Sequence, residues 1–121
     1  MKRIIQNLPI LQYLSKLTKS EQKQLISGAP RSLLICFSEI ALNLVEKNIP
    51  LTKKQIGMLR KHESKIKDLT SKKHSLNKRK IILRGGSFLK DLLQATLPPM
   101  IVSVIRKSPY HGRANKLRKS T

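Results

Sequence analysis

The sequence predicts an all-α fold: a small bundle of short helices followed by a disordered basic C-terminal tail. Three observations lead there. Apolar residues recur at helical spacing, as in Leu33, Leu34, Phe37, Ile40, Ala41, Leu44 and Val45, so that they share one face of a helix. No run alternates apolar and polar residues in the manner of a half-buried strand. Pro, Gly, Ser, Thr and Asn stand at the ends of the apolar runs, where helix caps belong.

The elements follow in order. Leu8, Leu11, Leu14 and Leu17 recur every third residue around Pro9, a residue suited to an early helical position. Lys2 and Arg3 ahead of apolar residues have the form of a signal peptide. Gln6, Asn7 and Pro9 break that apolar stretch and no small-residue cleavage site follows, so the segment reads as an ordinary first helix. Ser20-Glu21 opens a second short helix that Gly28 closes. Pro30 then starts the most apolar element, from Ser32 to about Lys47. Ile35, Cys36 and Leu42 widen its stripe so far that this helix is central. Asn48 is placed to cap its end, and Pro50 prevents continuation.

Thr52 and Gln55 form a capping box. The helix they open carries Ile56, Leu59, Ile66 and Leu69 on one face, with Lys53, Lys54, Arg60, Lys61, Lys65 and Lys67 around them. Ser75 offers an N-cap for Leu76–Arg84. Gly85-Gly86 interrupts any helix, and Ser87 caps an amphipathic one that buries Phe88, Leu89, Leu92, Leu93 and Leu97. From Leu92 to Ile105 no side chain is charged, yet these 14 residues fall short of the roughly 20 that span a bilayer. Pro98-Pro99 further opposes one straight spanning helix. Four segments result: a basic helical domain (1–84), a Gly-Gly joint (85–86), an apolar amphipathic segment (87–105) and a basic tail (106–121), disordered when unbound.

Charge narrows the function. The 121 residues hold 26 Lys/Arg against 6 Asp/Glu, a net of +20, which favours a polyanionic partner: nucleic acid first, an anionic membrane surface second. Aromatics are only 3% with no Trp, so platforms for stacking single-stranded bases are nearly absent. Residues 53–86 alone carry 12 Lys/Arg against Glu63 and Asp68, a net of +10. Such crowding opposes the compact state unless phosphates or counter-ions offset it. The expected contacts to double-stranded DNA are Lys53, Lys54, Arg60, Lys61, Lys65, Lys72, Lys73, Lys78, Arg79, Lys80 and Arg84. No base-reading motif accompanies them, so they address phosphate. The plainer alternative is a solvated basic face.

Catalytic chemistry is sparse. His62, His74 and His111 are isolated, and Cys36 is the lone cysteine, which excludes an intrachain disulfide and suits a buried small hydrophobe. No catalytic residue, metal ligand or cofactor is expected. Gly85-Gly86 lacks the further glycines and spacing of a phosphate-binding loop.

Leu83-Arg84-Gly85-Gly86-Ser87 resembles the cleavage consensus of adenovirus-type cysteine proteases: Met, Ile or Leu, any residue, then Gly-Gly, with the cut after the second glycine. Two residues without side chains let an extended strand thread a narrow groove. The pair reads equally as a helix C-cap and turn. NLPIL near the start, ICFSEIALNLVEKNIPLT, and GGSFL before LLQATLPPMI complete a pattern similar to minor virion or core precursor proteins of adenovirus-like viruses. The same pattern is similar to the related Polinton (Maverick) and adintovirus elements. The resemblance covers most of residues 4–105. It implies a packaged DNA-binding protein of the virion and host nucleus, cut by the viral cysteine protease at Leu83, Gly85, Gly86 and Ser87. Adenovirus core peptides are Arg-rich, and the Lys-rich block here departs from them. The alternatives are a membrane-active or capsid-docking minor protein, whose partner is a capsid protein or an anionic membrane, and a host chromatin or RNA-binding factor.

Overall fold

The computed structural model describes residues 2–107, excepting the side chains of Val104, Arg106 and Lys107. The chain is all-α, with seven helices and no strand among the described residues: α1 (Lys2–Ser15), α2 (Lys19–Ser27), α3 (Arg31–Val45), α4 (Lys53–Arg60), α5 (Glu63–Leu69), α6 (Leu76–Leu83) and α7 (Phe88–Lys107). Arg106 and Lys107, expected to open the tail, belong to α7. Residues 108–121 lie outside the described residues.

Local chemistry sets most boundaries. Thr52 and Gln55 close their capping box: the Thr52 side chain accepts from Gln55 N at 3.2 Å, and Gln55 Oε1 accepts from Thr52 N at 2.8 Å. Ser75 caps α6 by accepting from Lys78 N. A second box opens α2 two residues ahead of the expected start, between Thr18 and Glu21. Pro9 sits inside α1, which begins at Lys2.

The end of α3 uses both residues that follow its cap, Glu46. Lys47 N donates to Leu44 O and Asn48 N to Asn43 O, the paired bonds of a Schellman motif. Glycine usually occupies the left-handed position of that motif. Here it is Lys47, at φ 60°.

The helix expected to run on from Thr52 is two helices. Its apolar residues keep their face, with Leu59, Ile66 and Leu69 buried, but α4 stops at Arg60 and α5 restarts at Glu63. Ile56 remains 44% exposed. At the C-terminal end α7 continues through Pro98 and Pro99, although neither can donate an amide hydrogen. No single helix among the described residues is long and apolar enough to cross a membrane.

α3 is central as its pattern requires, meeting α1, α5 and α6, while α7 packs on α1 and α4. Leu33, Leu34, Cys36, Phe37, Ile40 and Ala41 of α3 join Phe88, Leu89, Leu92, Leu93, Leu97 and Met100 of α7 in one apolar cluster. Burial pushes the Cys36 thiol up to about 12, and the negative charge of Glu39 adds to the rise.

Truncating Phe37 or Ile40, both fully buried, to Ala is expected to cost about 2–5 kcal/mol in urea unfolding. Cys36 is expected to react with a thiol reagent only as fast as the chain opens. Immediate labelling of the native protein would disprove this packing.

Candidate nucleic-acid interface

Eight of the eleven expected phosphate contacts are exposed: Lys53, Lys54, Arg60, Lys61, Lys72, Lys73, Lys78 and Arg84. They are distributed over α4, the α4–α5 junction, the α5–α6 connection and α6 with its cap. Among the described residues only Lys61 of these eight is ion-paired, 3.3 Å from Asp91 with its own side chain 64% exposed.

The other three are drawn into the fold. Lys65 Nζ donates to Gly85 O at 3.1 Å and lies 5.8 Å from the centre of the Phe88 ring. Lys80 Nζ donates to Ser27 O at 2.9 Å, tying α6 to the end of α2. Arg79 Nη2 reaches Ser71 O at 3.5 Å, while its Nε is buried without a partner. Each loses some of its freedom to meet an outside phosphate.

A polar latch lies behind this surface, at the break between α4 and α5. His62 is 7% exposed, and its Nε2 is 2.8 Å from Asp91 Oδ2. An ionised carboxylate only accepts, so the ring nitrogen carries the proton. Ser87 Oγ donates to the same oxygen at 3.2 Å, and the His62 ring packs tilted on Phe88 with centroids 5.3 Å apart. Ser87, His62 and Asp91 are residue types of a nucleophilic triad, but Ser87 gives its proton to the carboxylate and not to the imidazole. No base activates it. Among the described residues no three His, Cys, Asp or Glu side chains are grouped to hold a metal ion.

Gly85 and Gly86 form the turn between α6 and α7. Gly86 has φ 58°, where a side chain would strain the backbone. Leu83 is buried in the core and Ser87 is partly buried. The residues matching the protease consensus are therefore folded into a turn and not extended.

Sequence reasoning missed the latch, because His62 and Asp91 are 29 positions apart. It also missed Arg3 and Arg31, which line a cleft of about 470 Å³ with Lys72, Arg79 and Glu39. A larger cleft of about 650 Å³ is mostly apolar, lined by residues such as Leu44, Ile49, Leu51 and Ile66, with Lys47, Arg60, Lys67 and Glu63 also in its lining.

Desolvation pushes the Asp91 carboxyl up. The hydrogen bonds from His62, Lys61 and Ser87 and the charge of Lys61 outweigh that and hold it below its ordinary value. Its stabilising contribution is thus complete above the ordinary carboxylate range, about pH 4, and is lost as pH falls through the lower folded value. Asp91→Ala is expected to cost about 1–3 kcal/mol by leaving buried His62 without its acceptor. Glu63→Ala, which removes the exposed Glu63–Lys67 pair, should cost under about 0.5 kcal/mol. Equal losses in chemical denaturation, or an unaltered acid limb in Asp91→Ala, would remove the latch from the account.

No family model, no curated protein and no solved structure matches this chain.

Proposed function

We propose that the chain is a small helical bundle that binds double-stranded DNA through its phosphates, without catalysis and without sequence preference. Its place is the virion core or minor capsid, as a precursor trimmed by an adenovirus-type cysteine protease. The observation that supports binding is the display of eight exposed cations from α4 to the cap of α6, of which only Lys61 has a carboxylate partner among the described residues. Lysines outnumber arginines among them, which suits point-charge contact with phosphate over bidentate reading of base edges. The fold fits the role by holding these cations on α4, on α6 and in the short connections between packed helices, so binding need not first order a long flexible chain.

Trimming after Gly86 supplies the virion part of the reading. It requires the α6–α7 turn to open, since Leu83 is buried and Lys65 holds the Gly85 carbonyl. The folded chain is therefore expected to resist an adenovirus-type cysteine protease. In mild denaturant it should yield fragments of 86 and 35 residues, resolved by mass spectrometry. A chain left intact even when partly unfolded would leave Gly85-Gly86 as a turn and nothing more.

Counter-ion release makes log affinity fall linearly with log salt, by about 0.9 per phosphate contacted on B-DNA. Replacing Lys53, Lys54, Lys72, Lys73 and Lys78 by Gln, all exposed, is expected to flatten that slope by several units, alike on unrelated duplexes. An unchanged slope, or strong dependence on base sequence, would overturn the DNA-binding reading.

A further inference from the structure

We infer that the cleft between α1, α3 and the α5–α6 connection is a nucleotide site, taking a phosphate ester together with a neighbouring hydroxyl or amino group. The inference rests on the phosphate-binding reading above and narrows it to one place and one ligand class.

Cations converge there from separate elements: Arg3 from α1, Arg31 from the start of α3, Lys72 from the α5–α6 connection and Arg79 from α6. One carboxylate, Glu39, sits among them. Among the described residues two buried side-chain polar atoms lack a hydrogen-bond partner, Arg79 Nε and Glu39 Oε2. Both belong to residues lining this cleft. A desolvated donor and a desolvated acceptor without partners are unfavourable, and each side chain would have to turn toward the cleft for a ligand to meet both needs.

The remaining contacts of these two residues leave room for a ligand. Arg3 Nη1 reaches Glu39 Oε1 and Arg79 Nη2 reaches Ser71 O, each at 3.5 Å, the outer limit of hydrogen bonding. A phosphate oxygen would accept from Arg79, with Arg31 and Lys72 balancing its charge. That alone leaves Glu39 Oε2 unmet, beside a like charge. A sugar hydroxyl or base amino group attached to the phosphate would donate to it. Inorganic phosphate has the first function and a nucleotide has both. A volume of about 470 Å³ lies within the usual range of small-ligand sites.

The test titrates the full chain with adenosine 5′-monophosphate and with inorganic phosphate, followed by calorimetry and amide chemical shifts. The nucleotide should bind more tightly and move resonances of α3 and α6. Arg79→Gln, or the exposed Arg31→Gln and Lys72→Gln if the first fails to fold, should weaken both ligands by about 10- to 100-fold, as expected for lost bonds to a charged group. Glu39→Gln should erase the preference for the nucleotide while keeping phosphate. Affinity unmoved by these variants, or shifts confined to α4, would overturn the site. If duplex DNA still bound with a steep salt slope, the cleft proposal would fail alone and the broader reading would stand.

Discussion

Burial of α3 on several sides is the constraint from which the architecture follows. Its apolar stripe is broad, so most of it must be enclosed, with only Leu42 and Val45 of that stripe left exposed. α1, α5 and α6 supply that enclosure, and α7 closes the core further by packing on α1 and α4. Every enclosing helix also has to present its polar face outward, and for α4, α5 and α6 that face is dense with lysine and arginine. Enclosing the core thus also arranges the cations. The exposed cations stand on the outer side of helices that pack around the core.

The latch shows how the last helix is held to that arrangement. Phe88 provides apolar burial at the start of α7, and Asp91 one turn later gathers His62, Lys61 and Ser87. Apolar contact sets proximity, and the hydrogen bonds to a largely buried carboxylate set register and angle. Because the Gly85-Gly86 turn lies between Lys65 and this cluster, its accessibility is coupled to the latch. Any process acting on the turn acts against the same interactions that seat α7.

How far this was legible depended on whether the deciding contact was local. Capping at Thr52–Gln55 and Ser75 could be read because donor and acceptor lie within one turn, and the centrality of α3 because its own residues declare it. The Thr18–Glu21 box was equally local and was displaced to Ser20 by a neighbouring cap-forming residue. The break at Lys61-His62 was illegible: Ile56, Leu59, Ile66 and Leu69 keep one helical face across it. At the break His62, in a non-helical conformation, bonds Asp91. Lys65, Arg79 and Lys80 likewise look in sequence like any other basic residue. Only the fold distinguishes those held by a backbone carbonyl from those facing solvent.

With exposed lysines, folding and the proposed DNA binding would stand under opposite ionic control. Salt screens their mutual repulsion over a Debye length of about 8 Å at physiological strength, which favours the compact chain, while the same ions compete for phosphate. A bound polyanion relieves the repulsion and occupies the surface at once, so by mass action it acts on the unfolding equilibrium as a stabilising ligand. If DNA binds as proposed, the free chain and its DNA complex are two different thermodynamic objects. Dilution into low salt loosens the first and tightens the second.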